Sequence, residues 1–182
     1  MKNLSNIKII CENIGSDYLK QTYLIHQHKL GENYLSYEHF ENLAKQNLLL
    51  IAVENNEVLG YLTLEYSTEK AFFAAKNIDI PASDCPILIL NTASVKYEGM
   101  IIGSKLVDFA IENFSYNASK IYSPVWKNEN QSNIYLLRKF GFSPLIELKN
   151  FWYEESIGIE NYCPVCNTPC TCSLIVFHKN LK

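Results

Sequence analysis

The apolar positions of this chain fall into short blocks whose period switches between two and about 3.6 residues. Ile7 to Glu12 alternates as a short first strand would. Asp17 to Lys29 places Leu19, Tyr23 and His26 on one helical face, with Ser16 as candidate N-cap, and Gly31-Glu32-Asn33 breaks the pattern. Ser36 can cap a second helix, Tyr37 to Gln46, whose Glu38 and Glu41 suit the positive end of the helix dipole. Leu48 to Glu54 is a continuous apolar strand, and Asn55-Asn56 can make a two-residue hairpin turn because asparagine tolerates positive φ. Val58 to Tyr66 returns as its partner. Gly60, Leu62, Leu64 and Tyr66 share one face of it, and Tyr61, Thr63 and Glu65 share the other.

The most organised stretch is Pro86 to Phe114. Ile87 to Val95 reads as a buried strand that opens on Ile87-Leu88-Ile89-Leu90. A turn ending in Gly103-Ser104 then leads into a helix striped by Ile102, Leu106, Ala110 and Phe114. Backbone N–H groups left free at such a helix start, together with the dipole, make an anion cradle over residues 98–104. Gly103 taken alone is equally explained as a backbone convenience. Lys120 to Trp126 is a further strand. Pro124 lacks an N–H, so pairing should loosen along its far end and leave a ligand-sized gap beside Ile87–Val95. Asn130 to Phe140 is a helix stopped at Gly141-Phe142. Ser143 to Tyr153 and Ser173 to Lys179 are strands that can form a hairpin, with a cysteine-rich loop at 158–172 in the connection. The long connection 67–85 carries Thr68 to Lys76 as a short helix, with Pro81 and Pro86 bracketing an irregular approach to the central strand.

Composition narrows the picture. The 182 residues suit one domain, and 48% hydrophobic against 19% charged residues describes an ordinary globule. A net charge of -3 argues against a general nucleic-acid binder, and Arg138 is the sole arginine, so bidentate phosphate clamps are scarce. There is neither an apolar run of membrane-spanning length nor a signal-peptide core, which gives a cytoplasmic expectation with no membrane partner. Cys163, Cys166, Cys170 and Cys172 crowd one segment, CPVCNTPCTC, while Cys11 and Cys85 stand apart. Four thiolates at this density point to a closed tetrahedral zinc site with a structural role; free or oxidised surface thiols are the plainer alternative. His26, His28 and His39 lack partners at metal spacing and read as surface or half-buried histidines.

The order of elements, the context VKYEGMIIGSKL and the ending NIYLLRKFGF resemble the GNAT superfamily of N-acetyltransferases, over roughly residues 7–156 and the last strand. The resemblance implies an α/β (α+β) fold: a mixed, mostly antiparallel central sheet flanked by helices, here with the cysteine-rich loop in its C-terminal hairpin. It implies acetyl-CoA as cosubstrate and a small-molecule or peptide amine as acceptor. The family signature Gln/Arg-x-x-Gly-x-Gly/Ala falls on Glu98-Gly99-Met100-Ile101-Ile102-Gly103, and Asn130 and Gly141-Phe142 occupy the second landmark. By that correspondence the pantetheine arm lies along Thr92, Ala93 and Val95, with the backbone oxyanion donor near Ala93 and Val95. The pyrophosphate lies on Met100, Ile101, Ile102, Gly103 and Ser104, with Glu98 and Gly99 opening the same cofactor-binding loop, and Asn130 lies at the thiol end.

The departures matter too. Glu98 puts a carboxylate beside a pyrophosphate, Ile101 replaces a glycine, and Leu137 replaces the tyrosine that commonly protonates the leaving thiolate. Tyr135 is about 200° away around the helix and is no simple substitute. Glu65 has a functional reading as the base that activates the nucleophile and a plainer one as a solvated strand-end carboxylate. An ordinary amine with pKa about 10.4 must be deprotonated before attack, so the reaction needs a base, a water chain or a low-pKa amine. Three readings follow: an N-acetyltransferase, a non-catalytic GNAT-like module that binds CoA or a protein, and an interaction protein working through the cysteine loop. A homodimer is compatible with each.

Overall fold

A computed structural model describes residues 6–31, 34–67, 78, 80, 84–99, 101–127, 132–160, 162–166 and 168–181. The helix expected over 68–76, Pro81, Met100 and Asn130 lie outside these residues. Among the described residues, seven strands form one sheet: β1 (Lys8–Ile10), β2 (Leu49–Glu54), β3 (Glu57–Ser67), β4 (Ile87–Val95), β5 (Lys120–Lys127), β6 (Ser143–Leu148) and β7 (Ser173–Asn180). Their order is β1-β2-β3-β4-β5-β7-β6, and every neighbouring pair is antiparallel except β4 with β5.

Alternation along the strands sorts the core into two faces. One face carries Leu50, Leu62, Leu64, Leu88, Leu90, Ile121, Ile175 and Phe177. It is covered by α3 (Ile102–Phe114), through Ile102, Leu106, Val107 and Ala110, and by Ile134 and Leu137 of α4 (Ser132–Lys139). On the other face, α1 (Ser16–Leu30) and α2 (Tyr37–Lys45) cover Leu49, Ile51, Val53, Val58 and Tyr61 with Leu19, Ile25 and Phe40. Beyond them Ile78, Ile80, Phe151 and Trp152 close over Ile87, Ile89, Tyr122, Leu174 and Val176.

Local chemistry sets most of the ends. The Ser36 hydroxyl accepts the His39 N–H at 3.2 Å and starts α2, and Asn55 and Asn56 take φ of 51° and 63° in the β2–β3 turn. Gly141, at φ 78°, ends the turn after α4. Four expectations change. Gly15, not Ser16, is the N-cap of α1, and no side chain bonds there. His26 is fully buried rather than at the surface. Gly103 lies inside the first turn of α3 instead of ending the loop; a Cβ there would stand 3.1 Å from a Leu136 methyl, so it serves helix–helix packing. The strand expected to reach Tyr153 stops at Leu148, because Asn150 turns the chain at φ 53° and sends Phe151 and Trp152 onto the sheet. A short helix, α5 (Tyr153–Ser156), follows.

Candidate active site and metal centre

The parallel pairing of β4 with β5 consists of three register pairs, Ile87↔Lys120, Leu88↔Ile121 and Ile89↔Tyr122. One side-chain bond continues it, from the Ser123 hydroxyl to the Leu90 carbonyl at 3.0 Å. Pro124 follows with no N–H to offer, and the strands part there, as the sequence led us to expect. β4 also carries an extra residue: Leu62 faces Ala93 while Leu64 faces Leu90. Thr63 holds this bulge, its hydroxyl accepting the Thr92 N–H at 3.0 Å and lying 3.3 Å from the Thr92 carbonyl. Neither Thr63 nor the bulge is visible as a motif.

The gap opens into a cavity of about 330 Å³. On one side it is bordered by Asn91, Thr92 and Ala93 of β4, Pro124 and Val125 of β5, and Val107, Asn133 and Leu137 of the helices. On the other side stand Tyr34, Phe151, Trp152, Glu155, Tyr162 and the cysteine loop. Of the candidate cofactor residues, Thr92 and Ala93 border this space, whereas Val95 packs on the core. Leu137 is buried at the cavity wall, and Tyr135 is 67% exposed and outside it. Glu65 is half-buried on β3 opposite Ile89 and is not among the residues bordering the cavity.

The anion cradle lies at the start of α3, one turn from the Val107 wall. Ile101 provides no side-chain cap, no acidic residue occupies the first turn, and the first intrahelical bond is Lys105 N–H to the Ile101 carbonyl at 3.0 Å. The N–H groups of Ile102, Gly103 and Ser104 precede it and have no partner within the helix by position. Gly99 turns the chain at φ 72°, and Ile101 is 52% exposed. The carboxylate of Glu98 meets the Lys29 ammonium at 3.3 Å, which offsets much of the repulsion expected from an acid beside a phosphate.

Behind the cavity, His26 fixes the α1–α2 corner. Its Nε2 accepts the Leu35 N–H at 3.2 Å, so the ring proton sits on Nδ1 and is donated to the Tyr61 oxygen 2.7 Å away. Burial, with a smaller push from His39, lowers its pKa to about 4, and the ring is neutral. Tyr34 stacks on it at 5.9 Å. Burial raises the Tyr34 phenol, a bond to the Thr92 side chain works against that, and the nearby Glu155 carboxylate adds to the rise.

The four cysteine sulfurs lie within 4.8 Å of one another. The recorded separations are 3.5 Å for Cys163–Cys166, Cys166–Cys170 and Cys166–Cys172, and 3.8 Å for Cys163–Cys172. A tetrahedron with zinc–sulfur bonds of about 2.3 Å has edges of about 3.8 Å, so the donor set fits zinc. No cysteine is in a disulfide. Burial disfavours the thiolates of Cys166, Cys170 and Cys172. At Cys166 the Thr171 N–H and the neighbouring thiols overcome it, pulling that thiol down to about 7, while burial pushes Cys170 up to about 11. The loop is tied to α5 by Ser156, which is fully buried: its hydroxyl accepts the Cys170 N–H at 2.6 Å and donates to the Tyr153 carbonyl at 2.8 Å, and Thr168 donates to its carbonyl. Cys163, Pro164 and Cys170 border the cavity.

No protein-family model matches the chain, and no curated protein matches it in sequence. Solved structures do. An N-acetyltransferase from Staphylococcus aureus superposes at TM-score 0.66 with 15% identity, covering 98% of this chain and 100% of the other. Arabidopsis thaliana Naa50 in complex with the bisubstrate analogue CoA-Ac-MVNAL superposes at 0.65 with 17% identity, over 96% and 99%. A Drosophila melanogaster polyamine N-acetyltransferase gives 0.65 and 10%, over 97% and 100%. The fold is that of the GNAT N-acetyltransferases. The split between β4 and β5 and the helix start at Ile102 thus belong to a chain that shares this fold at no more than 17% identity with these three structures. No helix among the described residues is long and apolar enough to cross a membrane.

Proposed function

We propose that this protein is an acetyl-CoA-dependent N-acetyltransferase acting on a primary amine. The observation that carries the reading is the parting of β4 and β5 beyond Tyr122, which opens a cavity between strand edges and two helices. Thr92 and Ala93 would border the pantetheine arm. Glu98, Gly99, Ile101, Ile102, Gly103 and Ser104 would receive the pyrophosphate, with Lys29 holding the Glu98 carboxylate aside. Met100 and Asn130 are proposed for the contacts given above, and Val95 contributes through packing.

Bound acetyl-CoA supplies an acyl group on a good leaving group. The protein's part is to hold the amine and the acyl group in register and to exclude water from the cleft. One proton of the acceptor ammonium passes to solvent and a second ends on the released thiol. Leu137 cannot carry that second proton. The phenols bordering the cavity are those of Tyr34 and Tyr162.

The four cysteines are proposed to hold a structural zinc ion, since closed thiolate coordination leaves no position for substrate. It would fix the wall made by Cys163, Pro164 and Cys170.

Acetyl-CoA at millimolar concentration should raise the melting temperature, and CoA release should be seen with at least one member of an amine panel. A melting temperature indifferent to acetyl-CoA would sink the ligand-binding reading. Stabilisation without CoA release across the panel would favour the non-catalytic module, which Leu137 at the family tyrosine position already suggests.

A further inference from the structure

Glu155 is the one charged side chain among the described residues that border the cavity, and the wall around it is aromatic: Tyr34, Trp126, Phe151, Trp152 and Tyr162. The Tyr162 hydroxyl donates to Glu155 Oε2 at 3.1 Å, which leaves the other carboxylate oxygen open to a ligand. One negative charge in a ring of π-faces is an environment for a cation and a poor one for an acid.

Where that charge stands decides what it can select. The reacting nitrogen must be neutral to attack, so a carboxylate that gripped it as ammonium would oppose the reaction. Glu155 is an exposed residue of α5 that borders the same cavity as Thr92 and Ala93 of the β4 bulge, and Tyr34 borders it too. A molecule with one amine at the bulge therefore places a second group at Glu155.

We propose that Glu155 binds a second positive charge on the acceptor, one that persists in the product, so that the preferred substrates are diamines rather than monoamines. This rests on the acetyltransferase reading and narrows its substrate class. No bond changes at Glu155.

The test compares 1,4-diaminobutane with butylamine, which have the same carbon chain, using purified full-length protein and acetyl-CoA. The expected result is at least a tenfold higher kcat/KM for the diamine, residing mainly in KM. Glu155→Gln keeps an oxygen for the Tyr162 hydroxyl and removes only the charge, and it should reduce the diamine-to-monoamine ratio at least tenfold. The variant's melting temperature should still rise with acetyl-CoA, which separates a lost subsite from a misfolded protein. Calorimetric titration of 1,4-diaminobutane into the CoA-bound protein reads the same subsite without turnover and should weaken at least tenfold in Glu155→Gln. A ratio near one in the wild type, or a ratio and a diamine affinity that Glu155→Gln leaves unchanged, overturns the proposal. In those cases acetyl-CoA stabilisation and CoA release with other amines would leave the acetyltransferase reading standing. Failure of both would remove the two together.

Discussion

His26 shows how one side chain ties stability to the cavity wall. It is neutral in the fold with its pKa near 4, against an ordinary value of about 6.5. Between those two values the unfolded chain binds the extra proton and the folded one does not. Its contribution is therefore fully present above about pH 6.5 and is lost as pH falls toward 4, on the order of 3 kcal/mol in all. Urea denaturation at pH 7 and pH 5 should show the fall. His26→Leu should flatten that limb and cost about 2–4 kcal/mol at pH 7, since the Leu35 N–H and the Tyr61 hydroxyl both lose their partner. Gly60 tests a different pressure, because a Cβ there would lie 2.8 Å from the Ser94 carbonyl and 3.1 Å from an Ile102 methyl. Gly60→Ala should push β4 and the start of α3 away from β3 and cost about 1–3 kcal/mol, read as a lower urea midpoint and a smaller acetyl-CoA-induced thermal shift. The sequence reveals Gly60 as a strand glycine, but not what presses on it. Tyr34, Glu155 and Ser156 were equally silent, because none belongs to a periodic pattern.

At the level of elements, what was legible was what local chemistry writes. Among the described residues the main strand and helix periods, the Asn55-Asn56 turn, the Ser36 cap and the parting of β4 from β5 beyond Tyr122 depend on neighbours in sequence, and these are found. What was not legible came from packing. The end of β6 depends on Phe151 and Trp152 finding the sheet, and Gly103 depends on Leu136. The cysteine loop lies between these cases: its spacing suggested a metal, and the sulfur separations agree with that geometry. Protein purified without added zinc should carry about one equivalent, as plasma emission spectrometry would measure. Cys166→Ser should lose most of it. Because the thiols must shed protons to bind, metal should dissociate progressively as pH falls below neutrality. On the proposed reading chelation should raise the acceptor KM while the acetyl-CoA-induced thermal shift persists, since the loop borders the cavity and not the helix start at Ile102. Equal and negligible metal in wild type and variant would remove the zinc site.

For the molecule as a whole, the three register pairs joining β4 to β5 have a mechanical consequence. Strands β1 to β4 with α1 and α2 form one half of the sheet, and β5, β7 and β6 with the cysteine loop form the other. Helix α3, the buried cluster of Ile87, Ile89, Tyr122, Leu174 and Val176, the Ser123–Leu90 bond and the short Ile87–Ile89 seam couple them. Such a seam is where cooperativity should fail first. In the ligand-free protein, hydrogen exchange should be faster at Asn91–Ala93 and Ser123–Val125 than in β2 or β7. A ligand lodged in the gap would splint the halves, slowing exchange on both edges together and merging any two-step thermal transition into one. A ligand held there would be part of the fold's own continuity, joining two halves that the backbone alone ties loosely.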